Sequence, residues 1–270
     1  MDRYAVIGHP VAHSLSPRIH AAFAETMGMA LTYEALDITP ENFAARLAEL
    51  HGAGYLGLNV TVPHKQVAAR AAEHLAERAA HAGAANTMIH TPKGWNADNT
   101  DGAGLFADLR NNLHLRLAGA RIALIGAGGA ARGVIAPLLA ARPARLVISN
   151  RSREKPQQLA ARFARLGLVE AATHGDLTRQ RFDLVLNATS AGHRGLAPEL
   201  PDALFAPGGT AYDLNYGPAA TPFLDWARHS GAAHTSDGLG MLVEQAAESF
   251  RLWRGVRPPT AAVLAALRAD

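Results

Sequence analysis

The chain contains no cysteine, which removes disulfides, thiolate nucleophiles and cysteine-built zinc sites together and is compatible with a reducing cytosol. It also lacks any run of lysines and arginines and any basic stripe interleaved with aromatics. With 26 basic against 23 acidic side chains, the formal charge is only +3, so nucleic acid is not an expected partner despite a sequence pI of about 9.5. No window approaches the roughly 18 apolar residues of a membrane span. The opening MDRYAVIGHPVAHS has an early acid and a short apolar run broken by glycine, unlike a secretory signal. There is no H-E-x-x-H or comparable cluster, and Pro10 separates His9 from His13, so no resident metal is expected. These absences point to a cytoplasmic protein handling a small molecule, and a small anion needs only a few local positive charges.

At 270 residues and 49% hydrophobic content, the chain is long enough for two domains, each with its own core. Tyr4–Gly8, Leu31–Leu36 and Tyr55–Val62 read as strands. Pro17–Met27 and Pro40–Leu50 read as helices, and an alanine-rich stretch follows from Gln66 to about Ala82. Ser16-Pro17 and Thr39-Pro40 look like N-caps followed by proline at the first helical position. A second series starts near Gly119, with strands over Arg121–Ile125, Arg145–Ser149, Asp183–Asn187 and Thr210–Leu214. Such alternation predicts α/β layers in both halves. Asp101–Leu113 reads as the connecting helix, and a final helix over Gly240–Arg254 could pack on either domain. Within GLNVTVPHK, residues 57–65, and the leucine before it, Leu56, Leu58, Val60 and Val62 recur at every second position. That period predicts one dry strand face, with Asn59 and Thr61 on the other and Pro63 ending the strand.

The apolar run Arg121–Ile125 leads at once into Gly126-Ala127-Gly128-Gly129-Ala130 and an apolar helix. This is the alanine form of a dinucleotide fingerprint: Gly126 permits the tight turn, Gly128 lets the backbone approach a pyrophosphate, and the helix N-terminus offers free amides. About 20 residues on, where an NAD site carries Asp or Glu, the chain reads Ser149-Asn150-Arg151-Ser152-Arg153-Glu154-Lys155. A carboxylate there would repel a 2′-phosphate, whereas the Arg151 guanidinium can bind it and stack on adenine. The expected cofactor is therefore NADP. A glycine triplet also serves a plain tight turn, the basic residues also suit a solvated loop, and Asn187 and Thr189 also suit a strand end.

Lys65 falls within one turn of Pro63, beyond the carboxyl end of its strand, where ligands bind in open α/β sheets. Near a helix N-terminus the dipole opposes its charge, which suits a lysine to proton transfer; an ordinary exposed lysine fits the local pattern too. His64 beside it reads as a packing or surface group rather than a second proton carrier.

Two further stretches are His13-Ser14-Leu15-Ser16-Pro17 and Ala85-Asn86-Thr87 followed by Asn99-Thr100-Asp101-Gly102. Together with GLNVTVPHK, the glycine loop, Asn150-Arg151-Ser152, Asn187-Ala188-Thr189-Ser190 and Asp237-Gly238-Leu239-Gly240-Met241, they stand in an order that resembles the shikimate dehydrogenases from Tyr4 to Phe250. The resemblance implies an N-terminal α/β substrate-binding domain over 1–101 and a Rossmann doubly wound parallel-sheet NADP-binding domain over 102–237. C-terminal helices over 238–270 would return to the substrate domain. It implies reversible NADPH-dependent reduction of 3-dehydroshikimate to shikimate, in aromatic amino-acid biosynthesis, by a monomer or homodimer. Carried over residue by residue, Ser14 and Ser16 would bind the substrate carboxylate. Asn59, Thr61, Asn86, Asp101 and Gln245 would hold hydroxyls, and Tyr216 would reach the same pocket. Lys65 would be the acid/base group, paired with Asp101. Gly126, Ala127, Gly128, Gly129, Ala130, Asn150, Arg151, Ser152, Lys155 and Thr189 would bind NADP, with Leu214, Gly238 and Met241 near the nicotinamide. Ser16 and Asp101 could each instead cap a helix. Ala21, where the family often has asparagine, and Ser152, where threonine is common, leave the chemistry intact. Two alternatives stay open: a quinate/shikimate dehydrogenase using NAD, against which Arg151 argues, and a non-catalytic NADP sensor, against which Lys65 with Asp101 argues.

Overall fold

The computed structural model describes residues 1–269. In chain order the elements are β1 (Asp2–Gly8), α1 (Ser16–Thr26), β2 (Leu31–Asp37), α2 (Phe43–Gly52), β3 (Tyr55–Val60), α3 (Lys65–Ala71), β4 (His74–Leu75), α4 (Glu77–Ala82), β5 (Thr87–Thr91), β6 (Gly94–Asp98) and α5 (Asp101–Ala107). There follow β7 (Arg121–Ile125), α6 (Gly129–Ala140), β8 (Arg145–Asn150), α7 (Glu154–Phe163), β9 (Glu170–Thr173), β10 (Phe182–Asn187), β11 (Phe205–Asp213), α8 (Thr221–His229), β12 (His234–Ser236), α9 (Leu239–Arg254) and α10 (Ala261–Ala269). They divide into two units, one of Met1–Gly104 with the chain from Leu242 onward, the other of Leu105–Met241. Among the described residues no helix is long and apolar enough to cross a membrane.

The first unit's sheet has the order β2-β1-β3-β5-β6-β4. β1 runs parallel to β2 and β3, whereas β5 is antiparallel to both β3 and β6. This mixture of directions gathers four chain segments at one sheet end: the residues leaving β1, β3 and β6 and those entering β5. One face packs Leu58, Val60, Met88 and Ala97 against Phe43, Leu47 and Leu50 of α2. The other receives α9, where Trp253 lies so close to Gly57 that a Cβ there would come within 2.3 Å of its indole nitrogen.

Coverage on both faces overturns the expectation of a half-wet strand. Leu58, Asn59 and Val60 are all buried, while Leu56 is 37% and Val62 67% exposed. β3 also stops at Val60, two residues short of the expected Val62, and the helix beyond starts at Lys65. A central strand with layers above and below buries consecutive residues, so alternation carries little information there. Ser16 is the first residue of α1 and not its cap; Ser14 Oγ instead accepts the Ser16 amide at 3.3 Å. Thr39 does precede a short helical turn, Pro40–Asn42, without a side-chain cap. The alanine-rich stretch is broken where Glu73 and Ala76 donate to the Trp95 and Ala97 carbonyls of β6, separating α3 from α4.

In the second unit the order is β12-β11-β10-β7-β8-β9, with every neighbouring pair parallel. β7 sits beside both β8 and β10, so the connections leave it in opposite directions and the order reverses there, the hallmark of a doubly wound sheet. One face packs α6 and α7 through Val134, Ile135, Leu138, Leu159 and Phe163, the other α8 through Phe223, Leu224 and Ala227. Both faces being covered explains the unbroken apolar run of β7.

Candidate active site

At the gathered end of the first sheet, Thr61 donates its amide to the Ile7 carbonyl at 2.8 Å and His9 donates to Val62 at 3.0 Å. The loop after β1 therefore runs beside the loop after β3. Gly8 permits this approach, since a Cβ there would stand 2.5 Å from the Thr61 methyl. Lys65 opens α3 and Asp101 opens α5. Their side chains meet, Lys65 Nζ donating to Asp101 Oδ2 at 2.6 Å, with exposures of 18% and 6%. Partial exclusion of water strengthens such a pair, provided its remaining polar atoms are satisfied.

Asn86 and Gln245 supply that satisfaction. Asn86 Nδ2 donates to Asp101 Oδ1 at 2.8 Å and to Gln245 Oε1 at 3.0 Å, while Asn86 Oδ1 accepts the Thr100 amide at 2.7 Å. Gln245 Nε2 donates to the Leu242 carbonyl at 2.9 Å, which leaves one of its two hydrogens for a ligand. Neither Asp101 oxygen faces the backbone of its own helix in these contacts; they are aimed at Lys65 and Asn86. Asn59, expected to hold a hydroxyl, is already engaged on both sides of its carboxamide. Its Oδ1 accepts from Tyr33 at 2.7 Å, and its Nδ2 donates to Ser249 Oγ at 3.0 Å and the Asn86 carbonyl at 3.2 Å. What remains is a single acceptor lone pair. Ser14 is half-buried and Ser16 buried. Burial pushes the Tyr33 phenol well up, the Ser16 hydroxyl working against it.

His64 is a buried anchor. Its ring is 1% exposed, stacks on Phe43 at 4.8 Å between centroids, and has Nε2 2.6 Å from the Ile38 carbonyl. A carbonyl only accepts, so that nitrogen carries the hydrogen and fixes the start of α3. Buried Thr87, Thr100 and Ser249 and half-buried Tyr33 complete the network, and the sequence does not single them out. Thr87 and Thr100 both lie inside the quoted motifs, and Ser249 has one weak signal, its place one turn after Gln245 on an otherwise apolar helix face. Among the described residues no group of three or more His, Asp or Glu side chains could hold a metal ion.

In the second unit, Gly126 has φ of 104°, and a Cβ there would lie 3.1 Å from the Ala188 carbonyl and the Thr189 methyl. The loops after β7 and β10 thus touch at the reversal of strand order. Beside it, Ala127 is buried in the core, whereas Gly128 and Gly129 open onto free space at the start of α6, ahead of Ala130. The N-cap Gly128 has no side chain to offer, so the first amides of α6 are available to an anion. At the end of β8, Asn150 is half-buried and Arg151, Ser152 and Lys155 are exposed. Arg153 is tied to Asp176 at 2.5 Å. Arg151 and Lys155, unlike Arg153, form no salt bridge among the described residues. Burial first, and then the Arg151 charge, push His174 below its usual range, with Glu199 working the other way. These residues fit a dinucleotide bearing a 2′-phosphate.

Further along, Thr189 donates its amide and hydroxyl to Asn187 Oδ1 at 3.1 and 2.8 Å. Asn187 Nδ2 donates to Asp213 Oδ2 at 2.7 Å, and Asn215 donates both its amide and its side chain to Asp213 Oδ1. Gly238 donates to the Asn215 carbonyl at 2.8 Å, and a Cβ on it would strike the Leu214 carbonyl at 2.4 Å. Burial raises Asp213 to about 6, partly opposed by these donors. Thr189, Leu214 and Gly238 are thereby locked together, with Met241 buried in the same unit's core. Tyr216 is half-buried at the start of the turn after β11.

Family models match along most of the chain: "Shikimate dehydrogenase substrate binding domain" over residues 6–88, "Shikimate / quinate 5-dehydrogenase" over 108–200 and "Shikimate 5'-dehydrogenase C-terminal domain" over 238–268. The shikimate dehydrogenase (NADP(+)) of Dechloromonas aromatica is 53% identical over 268 residues, covering 99% of this chain and 98% of its own. That of Aromatoleum aromaticum is 53% identical over 271 residues, covering 99% and 97%. A crystal structure of shikimate 5-dehydrogenase from Thermus thermophilus, in complex with NADP(H) and shikimate, matches with a TM-score of 0.87 and 34% identity, covering 100% of this chain and 99% of that one. With half its residues shared with such relatives over its full length, this chain belongs to the shikimate dehydrogenase family.

Proposed function

We propose that the chain is an NADP-dependent shikimate dehydrogenase, reducing 3-dehydroshikimate reversibly to shikimate in aromatic amino-acid biosynthesis. The observation that carries this reading is the 2.6 Å contact of Lys65 Nζ with Asp101 Oδ2, held from the other side by Asn86. NADPH, when bound, supplies the hydride. Negative charge then grows on the substrate carbonyl oxygen, and Lys65 stabilises that charge and delivers a proton to it. In the reverse direction the lysine takes the proton back. Asp101 keeps the ammonium oriented, and Asn86 keeps Asp101 from turning.

The hydroxyls of Ser14 and Ser16 bind the substrate carboxylate. Thr61, the spare hydrogen of Gln245, the spare lone pair of Asn59 and the Asp101 carboxylate receive its hydroxyls. A site that pairs each hydroxyl rejects analogues lacking one, because buried partners are then left unmatched. Gly126 to Ala130 bind the pyrophosphate, Asn150, Arg151, Ser152 and Lys155 the 2′-phosphate end, and Thr189, Leu214, Gly238 and Met241 the nicotinamide end. The enzyme works in the cytoplasm as a monomer or homodimer. Steady-state kcat/KM on shikimate and on quinate, each with NADP and with NAD, tests this. Shikimate with NADP should lead by orders of magnitude, and equal values on quinate with NAD would sink it.

A further inference from the structure

Ser249 is fully buried, and every polar atom near its hydroxyl belongs to the candidate active site. It accepts from Asn59 Nδ2 at 3.0 Å, lies 2.8 Å from Thr87 Oγ1 and 3.1 Å from Thr100 Oγ1, and donates to the Gln245 carbonyl one turn back at 3.1 Å. One hydroxyl offers one hydrogen and two lone pairs, so these neighbours saturate it. Thr87 and Thr100 both also reach Asn86 Oδ1, at 3.0 and 3.2 Å. Asn86 in turn holds Asp101, and Asp101 holds Lys65.

We infer that Ser249 is a positioning residue, which sets the Asp101–Lys65 pair through Thr87, Thr100 and Asn86. This rests on the functional reading above and adds a member that touches neither substrate nor cofactor. Packing alone does not call for a hydroxyl here: of its buried neighbours on α9, Ala246, Ala247 and Phe250 are apolar, whereas Gln245 and Glu248 have hydrogen-bond partners of their own. Removing it would leave an Asn59 N–H buried without its partner, and Thr87 and Thr100 would lose the neighbour that fixes how their hydroxyls sit against Asn86 Oδ1.

The test is a double-mutant cycle of Ser249→Ala and Asn86→Ala, with Ser249→Cys as a variant that keeps volume but bonds weakly. Ser249→Ala should lower kcat on shikimate by about tenfold or more, as expected when a catalytic group is misplaced by a fraction of an ångström. KM for NADP should move less than about twofold. In the Asn86→Ala background Ser249→Ala should have little further effect, because residues acting through one another are not additive. Ser249→Cys should resemble Ser249→Ala. A Ser249→Ala enzyme with wild-type kcat, a Ser249→Cys enzyme with wild-type kcat, or fully multiplicative losses in the double variant would overturn the inference. Failure of the functional reading shows separately, as a wild-type protein that does not turn over shikimate. The coupling of the two substitutions in denaturant unfolding then still reports whether Ser249 acts through Asn86, and additive unfolding free energies would overturn it.

Discussion

The two candidate sites are built from opposite materials. In the first unit the site is made of side chains: Lys65, Asp101, Asn86, Gln245 and Ser249 satisfy one another in a buried network. The site of the second unit is made largely of backbone, where Gly126 lets two loops touch and the bare N-terminus of α6 faces open space. A side-chain network fixes chemistry and tolerates few changes, because each lost partner orphans another buried group. A backbone cradle fixes shape, and its weak point is any added Cβ. The second unit keeps a side-chain network too, around Asp213, but that one ties loops together rather than presenting a charge pair.

The sharpest way to break the comparison is at the charge pair. Lys65→Ala should lower kcat by about a thousandfold, within the usual range for a lost acid/base group, with KM for shikimate little changed. Near-normal turnover in a steady-state assay would remove Lys65 from the chemistry. On the dinucleotide side the largest effect falls on selectivity. Arg151→Ala should raise KM for NADPH roughly ten- to a hundredfold, the worth of a charged hydrogen bond, and leave KM for NADH within about twofold. Equal losses with both cofactors would mean that the 2′-phosphate is held elsewhere. Gly126→Ala should weaken NADPH and NADH alike by about tenfold, since strain at a positive φ costs on the order of 1–3 kcal/mol. Nucleotide binding by calorimetry decides it, and shikimate binding should not move.

The smallest effect at neutral pH, and the most informative about the first unit's interior, concerns His20. Neither ring nitrogen has a hydrogen-bond partner, and the ring is stacked on Tyr33 at 4.2 Å. Burial pushes its pKa down to about 3, the neighbouring Asn59 carboxamide working the other way. The unfolded chain takes up a proton near pH 6.5 that the folded one refuses until about pH 3, so this residue costs stability progressively as pH falls through that window. By linkage the loss is about 2 kcal/mol at pH 5 relative to pH 7. His20→Phe should melt like wild type or slightly higher at pH 7 and lose less of its melting temperature on acidification. Parallel curves for the two proteins would contradict the burial of a neutral ring.

Local features were legible in the sequence. The glycine loop, the missing acid after β8 and the motif around Lys65 each lie within a few consecutive residues, where spacing and residue type carry the meaning. The misreadings came from tertiary context. Alternation in β3 suggested a wet face because a sequence does not reveal that α9, nearly two hundred positions on, covers Asn59 through Ser249. The hairpin of β5 and β6 is polar and short, so it left no strong period, yet it delivers Asn86 and Asp101 to the site. The cap expected at Ser16 is supplied by Ser14, two residues earlier.

The seating of α9 has a practical corollary for dissecting the protein. A fragment ending at Gly104 would contain every strand of the first sheet and most of the residues that matter for its chemistry. It would nonetheless expose the groove over Gly57 that Trp253 fills and hand Asn59, Thr87 and Thr100 to solvent. The substrate side is therefore not separable by cutting the chain once. To study it alone one would have to join residue 104 to residue 242, so that the end of the polypeptide is restored to the place where it folds.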